Sequence, residues 1–225
     1  MIRGAAGCMV LIFLTSAVAQ EAKYTIKTEA ATPPKEVAEP IQKLLGAQAS
    51  KLYGADGKLV CTVWLRSEVP VDATPDQIKM GLTYREVKQS EIFGVVRFDA
   101  DYRDYRKQKV KAGTYTLRLG YQPTDGDHAG ASEFQDFLLV LDAAKDTKTE
   151  PLDAKALVEA SAKSIASGHP GVFMLFPNAK PGAAPALAAM QKNHWVLQSK
   201  ADATSGGKKT GAVLGIGLTL VGEAD

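Results

Sequence analysis

The sequence is short of cysteine, of any charge excess and of long apolar runs. Its two cysteines among 225 residues cannot build a disulfide scaffold. Its 27 Lys and Arg nearly balance 25 Asp and Glu. A dedicated nucleic-acid binder carries a strong basic excess, so no nucleic-acid partner is expected. No apolar run approaches the roughly 20 residues of a membrane-spanning helix, so no transmembrane segment is expected. Motifs that announce chemistry are missing too: there is no G-x-S-x-G, no P-loop, no H-E-x-x-H and no C-x-x-C. Catalytic triads assemble from distant residues, but nothing in these motifs gives a positive reason to propose an enzyme.

What is present supports one self-sufficient domain. Hydrophobic residues make up 45% of the chain and charged residues 23%, which excludes a disordered chain. A domain of roughly 200 residues buries about 70% of its unfolded surface and needs neither metal nor disulfide to hold together. Residues 1–19 read as a secretory signal peptide: Arg3 supplies the positive start, 9–14 (MVLIFL) the apolar stretch, and Ala17-Val18-Ala19 the small residues of a cleavage site. The lipobox-like AAGC at 5–8 precedes the apolar run instead of following it, so lipidation at Cys8 is rejected. Removing the signal takes away Cys8 and leaves Cys61 as the only cysteine. Residues 20–225 are expected to form a single exported domain, periplasmic or secreted.

The remaining chain alternates like a β protein. Residues 24–28 read as an edge strand. A two-part helix is expected from an N-cap at Thr32, broken at Pro40. Residues 51–66 form two β-runs around Gly54-Ala55-Asp56-Gly57, a hairpin signal. Residues 82–87 alternate weakly. In the run 92–98, Ile92, Val96 and Phe98 are placed on one face. The cleanest alternation is 113–122, with Tyr115, Leu117, Leu119 and Tyr121 on one face and Thr114, Thr116, Arg118 and Gln122 on the other. Residues 137–141 (FLLVL) are continuously apolar, so both faces are expected to be covered. Asp153 caps a helix near 153–167 that Gly168 stops, with Leu157, Val158, Ser161, Ala162 and Ile165 on its apolar side. Residues 172–176 form another strand, 180–189 a loop with a helical turn, and 194–199 and 212–221 the last strands. In the final strand Leu214, Ile216, Leu218 and Leu220 face one way. Gly215 and Gly217 empty the other face, so something is expected to lie close against it. The fold class expected is mainly β: an antiparallel β-sandwich (immunoglobulin-like or jelly-roll-like) with a short N-terminal helix and one helix near 153–167.

Several segments together carry a resemblance: DGKLVCTVWLRSEVPV, GLTYREV, DYRKQKVKAGTYTLRLGYQPTDGDHAG and SGHPGVFMLFP. They resemble an uncharacterised family of secreted bacterial β-rich proteins with a KAGTYTLR…QPTDGDHAG core and an SGHPGV segment. The resemblance covers most of the chain after the signal. It implies export and one β-rich domain, and it brings no activity or catalytic residue.

The polar stretch Asp125-Gly126-Asp127-His128-Ala129-Gly130, leading to Glu133 and Asp136, is the main candidate for chemistry. Counted from Asp125, carboxylates fall at positions 1, 3, 9 and 12 and Gly at 6, a partial match to a calcium loop. Position 5 is Ala129 and the flanks are strands, so a self-bonded polar turn is the simpler reading. If the helix crosses between parallel strands 137–141 and 172–176, His169 comes beside His128, Asp125 and Asp127, as a zinc or copper site requires. His194 is expected at the opposite end. The candidate metal ligands are thus Asp125, Asp127, His128, Glu133, Asp136 and His169, with a divalent cation as the one cofactor weighed. The basic stretch 103–111 reads as a solvated hairpin guarding a sheet edge. Tyr115, Tyr121, Trp64 and Trp195 read as core, against a carbohydrate-stacking platform. Cys61, on an apolar strand stripe, reads as a buried and unreactive thiol. Two functions are carried forward. One is an exported, non-enzymatic envelope protein that binds a protein or small-molecule partner. The other is a metal-binding protein (calcium, zinc or copper), up to a metal-dependent hydrolase, built on Asp125, Asp127, His128 and His169.

Overall fold

Period-two alternation gives a strand one buried face, and strands are the main regular structure of this chain. The computed structural model describes residues 23–123 and 134–224. In chain order they form β1 (Tyr24–Ala30), α1 (Glu39–Gln42), β2 (Gln48–Gly54), β3 (Leu59–Leu65), β4 (Glu68–Pro70), α2 (Pro75–Met80), β5 (Ile92–Phe98), β6 (Tyr102–Arg103), β7 (Lys109–Val110), β8 (Gly113–Tyr121), β9 (Asp136–Asp142), α3 (Ala154–Ser164), β10 (Val172–Phe176), β11 (Ala186–Ala189), β12 (Trp195–Ser205) and β13 (Lys208–Val221). Short 3-10 turns lie at Tyr84–Glu86 and Gln191–Asn193. The fold is mainly β, as expected.

The strands follow one hydrogen-bonded path, β1-β2-β3-β5-β8-β9-β10-β13-β12-β11, with β4 parallel to β12 and the small β6-β7 hairpin apart. The architecture is therefore one curled sheet in place of two separate sheets. Alternation reports only that one face is buried, which holds equally for a sandwich and for the inside of a curled sheet. The curl brings the first strand to the last ones: the rings of Tyr24 in β1 and Trp195 in β12 pack edge to face, centroids 5.4 Å apart. Inside lie Leu52, Cys61, Leu117, Leu138, Leu175 and Leu218, with side chains from β12 and β13. Outside, α1 packs with Trp64, Ile92 and Val95, and α3 covers Leu139 and Leu141 of β9. Both faces of β9 are thus buried, as its sequence required.

Local departures have local causes. The helix expected from Thr32 shrinks to α1, because Pro33 and Pro34 each push the preceding residue out of helical geometry. A bulge between Ile92 and Gly94 turns Ile92 to the outer cluster while Phe93 joins Val96 and Phe98 inside. The weakly alternating 82–87 is a capped turn, in which the Thr83 N–H donates to Glu86 Oε2 at 2.7 Å. Thr74-Pro75-Asp76-Gln77 spells a capping box and starts α2. α3 begins as read, with Asp153 Oδ1 accepting the Ala156 N–H at 2.9 Å, but it ends at Ser164 and leaves Val158 on its exposed side. Residues 186–189, expected in a loop, pair with β12.

The glycine face of β13 is covered. An ideal Cβ on Gly215 would lie 1.8 Å from the Asn178 carbonyl oxygen, and one on Gly217 would lie 2.6 Å from that of Phe176. The chain leaving β10 crosses this face, and the Asn178 side-chain amide donates to the carbonyls of Ser199 (3.1 Å) and Ile216 (3.2 Å).

Candidate functional site

Of the six candidate metal ligands, Asp125, Asp127, His128 and Glu133 lie outside the described residues. Asp136 opens β9, where Arg85 Nη2 lies 3.1 Å from its Oδ1. Burial pushes its carboxyl up from the ordinary range, and Arg85 pulls against that shift. His169 follows α3 on the surface, with its N–H on Ser167 Oγ at 3.3 Å. The parallel crossover that would have drawn these regions together is not formed, because β10 runs antiparallel to β9, pairing Val172 with Leu139 and Met174 with Phe137. His169 therefore stands near the Asp142 end of β9, and Asp136 at the other end. Among the described residues no group of three or more His, Cys, Asp and Glu converges as a metal site needs.

The cause is a return leg between β9 and α3. Residues 143–152 run back beside β8 and are held there by Arg118, which is fully buried. Arg118 spends all five N–H donors. Nε and Nη2 form a fork on Asp146 (2.7 and 2.8 Å), Nη2 also donates to the Lys148 carbonyl, and Nη1 donates to those of Ser90 and Glu150. Thr116 Oγ1 completes the Asp146 carboxylate at 2.5 Å. α3 then runs back along β9, and its Ser164 Oγ accepts the Asp142 N–H at 2.8 Å.

Other reactive groups are also committed to structure. Cys61 is buried, and desolvation pushes its thiol up to about 12. His194, also buried, packs against the rings of Tyr105 and Phe176 with Nε2 3.2 Å from the Glu223 carbonyl oxygen. Asp104 accepts four N–H groups, from Arg106, Gln108 (backbone and side chain) and Val172. Burial raises its carboxyl against the pull of those donors. Tyr115 and Tyr121 pack in the interior of the curled sheet, and Trp64 packs in the cluster under α1, with its Nε1 donating to the Ala31 carbonyl at 2.9 Å.

Asp104 has a further consequence. It closes the turn of the β6-β7 hairpin and staples it to β10, while the Tyr105 N–H donates to the Val172 carbonyl at 2.9 Å. Tyr102 is thereby stacked beside Phe98, ring centroids 4.7 Å apart, with its hydroxyl on the Leu220 carbonyl. A cleft of about 450 Å³ opens beside it, where the two ends of the curled sheet meet. Tyr24 lines it from β1, Asp101, Tyr102, Arg103 and Lys109 from the hairpin, and residues 221–223 from the end of β13. Gly222 makes the last contribution possible. It has φ +138°, and a Cβ there would fall 2.0 Å from the His194 ring. The Ala224 N–H on the Tyr105 carbonyl (2.8 Å) holds the segment in place.

The charges of the cleft are unevenly spent. Lys109 Nζ and Asp101 Oδ2 pair at 2.6 Å, and Lys109, with the Ala112 N–H, holds the Asp101 carboxyl below its ordinary range. Arg103 uses Nη1 on the Lys107 carbonyl at 2.9 Å. The exposed Glu223 carboxylate has no ion-pair partner among the described residues. The sequence placed 103–111 on the surface; Arg103, Arg106, Lys107, Lys109 and Lys111 are exposed, while Asp104, Tyr105 and Val110 are buried. The hairpin's meeting with Tyr24 and Glu223, far away along the chain, carries no sequence signal.

No protein-family model, curated protein or solved structure matches the chain.

Proposed function

We propose that this chain is an exported, β-rich, non-enzymatic protein of the cell envelope that binds a small ligand in the cleft beside the β6-β7 hairpin. The observation that carries the reading is the cleft itself. Its volume of about 450 Å³ falls within the usual range of small-molecule sites, and it joins aromatic walls to a few polar groups. Export rests on the pattern of residues 1–19, and membership of the secreted family on the segments quoted for it. The non-enzymatic part is supported by how the reactive groups are used: the Cys61 thiol is desolvated, and Asp104, Asp146 and His194 face protein partners.

The test is an amide-shift screen of the isotope-labelled protein against mixtures of charged and neutral fragments. Shifts are expected to cluster at Tyr24, residues 101–103, Lys109 and residues 221–223, and to vanish in Arg103→Glu. Fragments that move amides elsewhere and never these would sink the reading.

A further inference from the structure

The chemistry of the cleft narrows what enters it, given the binding reading above, on which this step rests. Four charged side chains line it: Asp101 and Glu223 against Arg103 and Lys109. Their formal charges cancel. Asp101 and Lys109 satisfy each other at 2.6 Å. That leaves one anion, the Glu223 carboxylate, and one cation, the Arg103 guanidinium, which donates from Nη1 to the Lys107 carbonyl.

A purely anionic ligand would meet Arg103 but would also face Glu223 and Asp101. A purely cationic one would meet Glu223 but also Arg103 and Lys109. A large apolar ligand would strip water from both unspent charges without replacing it, which is costly. A molecule carrying both charges satisfies both sides. The Tyr24 ring already carries Lys23 Nζ 5.8 Å from its centroid, so the ammonium of such a molecule is left to the Glu223 carboxylate. A guanidinium, in turn, is shaped to grip a carboxylate with two parallel N–H bonds.

We infer that the cleft receives a small zwitterion of amino-acid or short-peptide size, its ammonium against Glu223 and its carboxylate on Arg103. Both anchoring residues are exposed, so their variants test recognition without disturbing the core.

The experiment is an amide-shift titration of the labelled protein with three probes: glycylglycine, N-acetyl-glycylglycine and glycylglycinamide. Glycylglycine is expected to move the amides of Arg103, Lys109, Gly222 and Glu223 and to bind about tenfold tighter than either capped form. Arg103→Gln should erase the advantage over the amide while keeping the advantage over the acetylated form. Glu223→Gln should do the reverse. If a capped form binds at these amides as tightly as glycylglycine, the zwitterion assignment is wrong while the cleft remains a binding site. If none of the three moves these amides at millimolar concentration, the assignment is also overturned, and the fragment screen decides the binding reading separately.

Discussion

The molecule holds two clusters of opposite charges, and they are built on opposite terms. At Arg118 and Asp146 both side chains are withdrawn from water, all five guanidinium donors are used, and every partner comes from the same chain. At the cleft, Asp101 and Lys109 pair on the surface, Arg103 donates to one carbonyl, and Glu223 has no ion-pair partner among the described residues. Burial explains the difference. A charge removed from water must be fully repaid by protein groups, or it unfolds its surroundings. A charge at the surface can wait for a partner, because water solvates it meanwhile. The buried cluster fixes the route of the chain, and the open one leaves the Arg103 and Glu223 charges to water.

The sharpest way to break this comparison is to remove one side of the buried pair. Arg118→Met leaves the Asp146 carboxylate and three carbonyls without their guanidinium donors, and is expected to cost about 3–5 kcal/mol in denaturant unfolding. Arg118→Met combined with Asp146→Leu should recover much of that loss, since an apolar pair removes the stranded charge. A cost below about 1 kcal/mol for the single change would show that the 143–152 segment does not depend on this fork.

A smaller effect is expected from Gly215→Ala. The added methyl would sit 1.8 Å from the Asn178 oxygen, so the crossing chain must move. Overpacking of this kind costs about 1–3 kcal/mol. An unchanged unfolding midpoint would mean that the segment after Phe176 yields freely.

That glycine face was legible in the sequence because alternation is local: reading every second residue of β13 finds it. The same holds for the inner face of β8, for the doubly covered β9, for the Asp153 cap and for buried Cys61. What was not legible depends on how often the chain reverses. A helix between two apolar strands suggests a parallel crossover. Here the polar stretch 143–152 adds one reversal, so β10 comes back antiparallel and His169 lies at the far end of β9 from Asp136. The only local signal was that this stretch is too long for a tight turn. Arg118 looked like an outward residue of an amphipathic strand, and its partner lies 28 positions away. The cleft was illegible for the same reason, since it joins residue 24 to residues 101–109 and 221–223.

Tyr121 extends the comparison to neutral groups. Its hydroxyl lies 2.6 Å from the Tyr84 carbonyl oxygen and 2.5 Å from that of Val87, and burial pushes it up to about 12. Tyr121→Phe is expected to cost about 1 kcal/mol at neutral pH. The sign of the pH effect follows from the raised value. The unfolded phenol ionises near 10 while the folded one still holds its proton, so stability from this group is whole below about 10 and is lost as pH rises toward 12. Burial shifts Tyr84, Tyr102 and Tyr115 in the same direction. Alkaline unfolding should therefore coincide with tyrosine ionisation by ultraviolet absorbance, and the Phe variant should lose less stability over that window. Tyrosines that ionise well below the unfolding transition would contradict this.

The smallest stability effect belongs to the cleft, and its smallness is the point. Arg103 and Glu223 are exposed, and neither holds an ion pair among the described residues. Arg103→Gln and Glu223→Gln should each shift the melting temperature by no more than about 2 °C, the level of ordinary surface substitutions. Raising salt should leave that result unchanged, because neither charge holds an ion pair among the described residues to be screened. A loss as large as that of Arg118→Met would place these residues with the structural charges and remove the reason to regard the cleft as a recognition surface. Near-neutral stability joined to a changed response to glycylglycine would separate the two clusters by what each is for: one charge pair that the fold cannot do without, and one pair of unspent charges that it leaves available.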